Sequence, residues 1–122
     1  MDDVDTPWEL VYYRSAQGRC PVEKFIQPLS PRDRAVVIRC LQMLEKFGTD
    51  LGYPHTEKIH EDIYCLRVRV KRSRYRFFYF MYTSRQIVLL HAIQKKTRAI
   101  PRRDIRIAIQ RRDDRIARFG AR

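Results

Sequence analysis

Hydrophobic and polar positions recur along the chain with two different periods, and these periods predict its helices and strands. Residues 8–13, WELVYY, are rich in aromatic and β-branched side chains and run into a turn-prone segment, so they predict a first strand. Residues 21–29 predict a short helix, because Pro21 suits a first helical position and Pro28 stops or kinks the helix.

The clearest helical pattern lies between residues 30 and 48. Ser30 and Pro31 stand in the order of a helix cap and a first helical position. Apolar side chains then recur at helical spacing and form one stripe, made of Val37, Ile38, Leu41, Leu44 and Phe47. Gly48 comes after the last of them and predicts the end of the helix.

The middle of the chain changes to the period of two residues that is typical of strands. Residues 49–62 carry Gly, Pro and acidic side chains and predict a loop that leads into a strand. Strands are then predicted at residues 63–71, 74–82 and 86–94, joined by short turns. The second and third are apolar on both faces, which indicates covered central strands in a meander.

The first strand of this meander is amphipathic. Its apolar face carries Leu66, Val68 and Val70, and its other face carries Arg67, Arg69 and Lys71. Together with the start of the next strand, residues 67–76 hold six cationic side chains: Arg67, Arg69, Lys71, Arg72, Arg74 and Arg76. A solvated outer face is the simplest interpretation, but like charges opposed across a hairpin cost stability unless an anion is expected there.

Helical spacing returns at residues 101–118, and Gly120 lies just beyond the last turn. The seven Arg and three Asp of this segment predict either a solvated helix face or a phosphate contact with RNA. The predicted order is β-α-α-β-β-β-α, which indicates an α+β fold with helices packed on a mainly antiparallel sheet. The whole chain is predicted to form a single domain, with flexible ends at residues 1–6 and 119–122.

The composition is that of a globular chain with a strong positive charge. The 122 residues are 44% hydrophobic and 11% aromatic, enough for one domain with its own core. The 26 Lys and Arg against 14 Asp and Glu give a net charge of +12, which predicts a polyanionic partner such as nucleic acid, the ribosome or an acidic protein. Arg predominates in this excess, and its planar fork suits phosphate recognition.

The cysteines and the lengths of the apolar runs indicate the cellular compartment in which the protein is expected. Cys20, Cys40 and Cys65 are odd in number and show neither a CxxC pair nor metal-ligand spacing, which favours a reducing compartment. The first residues lack the basic and apolar regions of a signal peptide, and no apolar run approaches the ~18 residues that cross a bilayer. The chain is therefore predicted to be cytoplasmic and to have no membrane partner.

Three segments together resemble a known family. They are LRVRVKRSRYRFFYF at residues 66–80, IVLLHAIQKKT at 87–97 and IPRRDIRIAIQRRDD at 100–114. In combination they resemble the phage-associated branch of HigB toxins, within the RelE/ParE superfamily of bacterial toxin-antitoxin modules. The resemblance covers the chain from Trp8 to about Arg115.

This resemblance implies a fold, an activity and partners. The fold is a small curved sheet with two N-terminal helices on one face and a basic concave face on the other, where mRNA and the ribosomal A site would meet. The activity is that of a ribosome-dependent mRNA endonuclease that inhibits translation. The partner that holds it inactive is a HigA-like helix-turn-helix antitoxin.

The resemblance also implies site residues. RelE-type enzymes carry two Lys two residues apart on one strand, an Arg after the Tyr of the next strand, and a further basic residue at the end of the last strand. In this sequence the spacing matches Arg67 and Arg69, then Arg76 after Tyr75, then Lys95 and Lys96. Arg76 is expected to contact the scissile phosphate, and Lys95 or Lys96 to act as the acid or a second electrostatic clamp. The residues expected to bind RNA are Arg67, Arg72, Arg74, Tyr75 and Arg98.

The general base is the role that the sequence leaves open. Cleavage of RNA by its own 2′-OH needs a proton acceptor, a proton donor and cations around the phosphorane, and the chain has no acidic cluster suited to Mg²⁺, so neither metal nor cofactor is expected. Arg69 stands where RelE has Lys, and an Arg is a poor neutral base. Lys71 and His91 are the alternatives, although a histidine within an apolar strand is more often a core residue.

The aromatic stripe Tyr75, Phe77 and Tyr79 could stack on bases, but such a stripe on a central strand usually belongs to the core, and Phe77 is expected to be buried.

Two rival functions also remain open at this point. One is a catalytically silent RNA- or ribosome-binding module, which Arg69 in place of Lys would suit. The other is a ParE-like inhibitor of DNA gyrase, against which the dense basic hairpin argues.

Overall fold

A computed structural model of the chain describes residues 8–83 and 85–120. The strands are β1 (Glu9–Tyr12), β2 (Thr56–His60), β3 (Ile63–Val70), β4 (Ser73–Met81) and β5 (Gln86–Gln94). The helices are α1 (Pro21–Ile26), α2 (Pro31–Phe47) and α3 (Arg102–Phe119), and a single 3-10 turn (Gly48–Asp50) comes directly after α2.

The five strands form one mixed sheet in the order β1-β5-β4-β3-β2. Strand β1 runs parallel to β5, whereas β2, β3, β4 and β5 pair antiparallel in sequence. The predicted α+β class is correct, but the predicted loop at residues 49–62 contains the edge strand β2. An edge strand exposes much of its surface, so TEKIH is mostly polar and lacks the apolar alternation on which the prediction relied.

Helix α2 begins and ends where the sequence predicts. The Ser30 hydroxyl accepts a hydrogen bond of 3.2 Å from the Asp33 amide, which caps the first turn. Gly48 ends the helix with a φ of +50°, a backbone conformation that favours glycine. The Trp8 ring lies directly against Gly48, and the Trp8 amide donates to the Glu45 carbonyl at 2.8 Å. The start of β1 is thereby fixed on the end of α2.

The sheet is covered on both faces. Helices α1 and α2 pack on one face, against a core that includes Leu66, Val68, Tyr75 and Phe77. Helix α3 packs on the other face through Ala108, against a core that includes Cys65, Phe78, Phe80 and Leu90. Phe77 is buried as expected, and the aromatic side chains of β4 fill both cores.

Helix α3 ends close to the far end of β4. The Tyr82 hydroxyl donates a hydrogen bond of 2.6 Å to the Gly120 carbonyl, so residues 119 and 120 are held in place. The remaining predicted flexible ends, residues 1–6 and 121–122, lie outside the described residues. Cys20, Cys40 and Cys65 form no disulfide bond. Among the helices of the described residues, none has the length and apolar character needed to cross a bilayer.

Candidate functional site

The hairpin of β3 and β4 places two pairs of arginines side by side on one face of the sheet. Arg67 lies opposite Arg76, and Arg69 lies opposite Arg74. Directly opposed residues of an antiparallel pair point to the same face. All four side chains therefore share the α3 face of the sheet, where Arg69 and Arg74 are exposed and Arg76 is buried.

Lys95 joins these arginines from the end of β5. Its amide donates a hydrogen bond of 2.7 Å to the Arg74 carbonyl, which continues the β4–β5 register beyond the Arg76–Ile93 pair. The result is a cleft of about 440 Å³, hereafter the cationic cleft. Its lining consists of Pro54, Arg67, Val68, Arg69, Arg74, Arg76 and Lys95.

Arg76 forms the base of the cationic cleft. Its side chain is 4% exposed, and its Nη1 donates to the adjacent Tyr75 carbonyl at 3.2 Å. Its Nε is buried without a partner, and no carboxylate of the described residues forms an ion pair with it. Burial, and secondarily the Arg67 and Arg74 cations, lower the pKa of Arg76. A buried guanidinium with an unpartnered donor is a costly arrangement that an anion would relieve.

The surroundings of Lys95 lower the pKa of its ammonium group. Burial, followed by the nearby Arg76 cation, lowers the pKa of Lys95 below its ordinary value of 10.5. A lowered pKa makes an ammonium group a stronger acid at neutral pH. Of the two lysines predicted as the acid, Lys95 lines the cationic cleft and Lys96 does not.

Glu57 is a carboxylate near the cationic cleft, although not in its lining, that the sequence pattern did not indicate. It lies on β2 opposite Cys65, so its side chain shares the face of Arg67 and Arg76. The Glu57 charge raises the pKa of both Arg76 and Lys95, which places the carboxylate within electrostatic range of the cleft. Within residues 8–83 and 85–120 it forms no ion pair. The sequence TEKIH is mostly polar, so no apolar alternation marked β2 as a strand or showed which face carries Glu57.

The remaining predicted cations surround the cleft. A second hollow of about 550 Å³ adjoins it and is lined by Arg69, Lys71, Arg72, Arg74, Gln94, Lys95, Lys96, Thr97 and Arg98. Lys71 lies in the tight turn between β3 and β4 with a φ of +54° and is exposed. These side chains extend the positive surface away from Arg76, as a path for a polyanionic chain would require.

His91 is held beneath the α3 helix and does not line the cationic cleft. Its Nε2 lies 2.7 Å from Asp104 Oδ1, and its Nδ1 lies 3.1 Å from Arg111 Nη1. Because Arg only donates, Nδ1 accepts and Nε2 carries the proton of a neutral ring. Burial lowers the pKa of His91, and Arg111 and Arg103 add to that effect while Asp104 opposes it. With both nitrogens engaged, His91 does not fit the role of general base.

Tyr75 also departs from its predicted role. It belongs to the core on the α1 and α2 face of the sheet, where it is 3% exposed, and its hydroxyl donates to Asp33 Oδ2 at 2.5 Å. Its neighbour Arg76 points to the opposite face, because successive residues of a strand alternate. Tyr75 therefore supports the strand that carries Arg76 and is not available to stack on a base.

Comparison with known proteins identifies a family. No curated protein matches the chain. A model of the family described as phage derived protein Gp49-like (DUF891) matches residues 24–113, a span that includes β2 through β5 and most of α3. Since this span is well over half of the chain, the protein belongs to the Gp49-like family of phage-derived proteins, which is part of the RelE/ParE-like toxin superfamily.

Proposed function

We propose that this protein is the HigB-like toxin of a type II toxin-antitoxin system and that it cleaves mRNA on the ribosome. The observation that carries the proposal is Arg76, a buried guanidinium with an unpartnered Nε at the base of a cleft lined by four arginines and a lysine. Such a site suits a phosphodiester, because guanidinium groups pair with phosphate oxygens through strong, oriented hydrogen bonds. Membership of a toxin superfamily supports the same conclusion.

The proposed reaction uses the RNA's own 2′-OH. The 2′ oxygen attacks the adjacent phosphorus, the bond from phosphorus to the 5′ oxygen breaks, and the products are a 2′,3′-cyclic phosphate and a 5′-hydroxyl. Arg76 would bind the phosphorane oxygens as negative charge develops on them. Lys95 would protonate the leaving 5′ oxygen, which its lowered pKa favours.

Glu57 would accept the proton of the 2′-OH. It is a carboxylate on the sheet face of the cationic cleft, whereas Arg69 is a poor base and His91 is occupied by Asp104 and Arg111. The proposed catalytic set is therefore Arg76, Lys95 and Glu57. The other cations of the cleft and of the adjoining hollow would hold flanking phosphates of mRNA or ribosomal RNA at the A site, so binding should weaken strongly with salt.

The proposed antitoxin is a HigA-like helix-turn-helix protein. Its effect should be to stop mRNA cleavage by this toxin, and co-expression should restore growth. The net charge of +12 makes an acidic partner surface favourable.

The experiment compares three purified proteins in a reconstituted translation mixture. Wild type should cut a ribosome-engaged mRNA, and Arg76→Ala should not. Arg39→Ala is the matched control, because Arg39 is exposed on α2, which packs on the opposite face of the sheet. Binding to ribosomes without cutting would favour a silent binding module, and intact mRNA with a loss of DNA supercoiling would favour gyrase inhibition.

A further inference from the structure

Tyr53 is an exposed aromatic residue at the rim of the cationic cleft. Its side chain is 78% exposed, more than Ile38, Phe47 or Phe119, the other exposed large hydrophobic side chains within residues 8–83 and 85–120. The next residue, Pro54, lines the cleft together with Arg67 and Arg76. A single exposed aromatic residue is ordinary on a protein surface, so the contacts of Tyr53 decide its significance.

The ring of Tyr53 is paired with a cation of the site. The Arg67 guanidinium carbon lies 5.6 Å from the centre of the Tyr53 ring, which is the distance of a cation–π contact. Arg67 Nη1 also donates to the Pro54 carbonyl at 3.4 Å, and the Arg67 amide donates to the His55 carbonyl at 2.8 Å. The segment that carries Tyr53 is thus bonded to the strand residue that lies opposite Arg76.

The turn that carries Tyr53 has its own hydrogen bonds. The amides of His55 and Thr56 both donate to the Gly52 carbonyl at 3.0 Å, and Gly52 adopts a φ of +60°. Thr56 is buried and begins β2. The backbone on both sides of Tyr53 is therefore fixed while its ring faces solvent.

We infer that Tyr53 and Arg67 form a base-stacking shelf, on which an unpaired RNA base beside the phosphate bound by Arg76 would lie. An aromatic face next to a phosphate-binding cation is the arrangement that holds single-stranded nucleic acid, because every base has a π face. The inference rests on the proposed function, since it takes RNA as the ligand of the cleft. The shelf would fix the position of a nucleotide and tolerate any of the four bases.

The test measures binding and stacking without requiring cleavage. The probe is a short single-stranded RNA with 2′-O-methyl groups, which remove the attacking hydroxyl, and with the fluorescent base 2-aminopurine placed at successive positions in separate molecules. Stacking on an aromatic ring quenches 2-aminopurine, and fluorescence anisotropy reports the affinity. The proteins are wild type, Tyr53→Phe, Tyr53→Ala and Phe119→Ala. Phe119 is an exposed aromatic at the far end of α3 and serves as the matched control.

The expected result is quenching at one position of the RNA by wild type, Tyr53→Phe and Phe119→Ala. Tyr53→Ala should lose that quenching and bind about ten-fold more weakly. The slope of log affinity against log salt concentration should be the same for Tyr53→Ala as for wild type, because no phosphate contact is removed. Arg67→Ala should reduce the magnitude of this slope by about 0.7.

Two outcomes would overturn the inference. In the first, Tyr53→Ala binds the probe and quenches its fluorescence as wild type does. In the second, wild type binds the probe without quenching at any position. Failure of the nuclease proposal alone would give a different result. The protein would leave mRNA intact on the ribosome but would still quench the probe in a way that depends on Tyr53, and the base-stacking shelf would stand.

Discussion

Arg67 and Arg76 lie directly opposite each other across the β3–β4 hairpin, and Arg76 is buried at 4% exposure. Like charges in this position destabilise a sheet. A second such pair, Arg69 with Arg74, adjoins the first. The fold therefore holds positive charge where stability alone would remove it, which supports the proposal that the cleft binds a polyanion.

Arg76→Met should raise the thermal unfolding midpoint and abolish cleavage. Methionine replaces the aliphatic part of the Arg76 side chain and removes both the unpartnered Nε and the repulsion from Arg67 and Arg74. The expected gain is about 1 kcal/mol, or about 4 °C in the midpoint, measured by differential scanning calorimetry. Arg39→Met on α2 should change the midpoint little. A lower midpoint in Arg76→Met would show that the buried charge is not costly.

Glu57→Gln should reduce the cleavage rate on ribosomes by about 100-fold or more, since it removes the proposed proton acceptor at nearly constant shape. Ribosome binding should persist, because the cations that hold phosphate are unchanged. Glu23→Gln, an exposed carboxylate change on α1, is the control and should cut like wild type. Full activity in Glu57→Gln would show that another group accepts the proton of the 2′-OH.

The pKa of Lys95 should rise when the Arg76 charge is removed. Burial lowers this pKa first, and the Arg76 cation is the next cause. In Arg76→Met the second cause disappears, so Lys95 should titrate at higher pH than in wild type. NMR of ¹³C-labelled lysine side chains measures both titrations. An unchanged Lys95 titration would show that the two groups are not coupled.

Stability should fall as the pH drops below 6.5, because of His91. Its pKa is lowered in the folded chain from the ordinary value of 6.5, chiefly by burial, so the unfolded chain binds more protons between the two pKa values. The stabilisation is complete above pH 6.5 and is lost as the pH falls through the folded pKa. His91→Gln should flatten the dependence of the midpoint on pH across this window. His60→Gln, a change on an exposed edge-strand side chain, should retain it.

Gly48→Ala should destabilise the fold by about 2 kcal/mol, because a methyl group at this φ of +50° would be strained and would collide with the Trp8 indole. Gly18→Ala is the matched control. Gly18 has a φ of +83° with open space around it, so only the backbone strain of about 1 kcal/mol applies. Chemical denaturation of both variants isolates the contribution of the Trp8 contact, and equal losses would contradict its importance.

Periodicity predicted most of the elements but missed β2, one of the two edge strands of the sheet. Helix α2 and strands β3, β4 and β5 were predictable because each buries a regular apolar face. Strand β2 was not, because an edge strand with one buried residue, Thr56, has almost no apolar signal. Because β2 was not predicted, the position of Glu57 on the α3 face of the sheet, which follows from its pairing with Cys65, was not predicted either.

The candidate site was predictable where it depends on a single hairpin and unpredictable where it depends on distant contacts. Arg67, Arg69, Arg74 and Arg76 meet through local strand pairing, which the alternation of β3 implies. The engagement of His91 with Asp104 and Arg111 requires α3 to fold back over β5, which no local pattern shows. The burial of Tyr75 against Asp33 likewise depends on where α2 packs.

The central claim is that Arg76 stabilises the transition state of mRNA cleavage, and the single-turnover cleavage rate on purified ribosomes measures this most directly. Wild type and Arg76→Ala are compared at equal ribosome occupancy. Wild type should leave a 2′,3′-cyclic phosphate at the cut, and Arg76→Ala should be slower by about 100-fold or more. A rate for Arg76→Ala within a few-fold of wild type, or no cleavage by wild type, would contradict the claim.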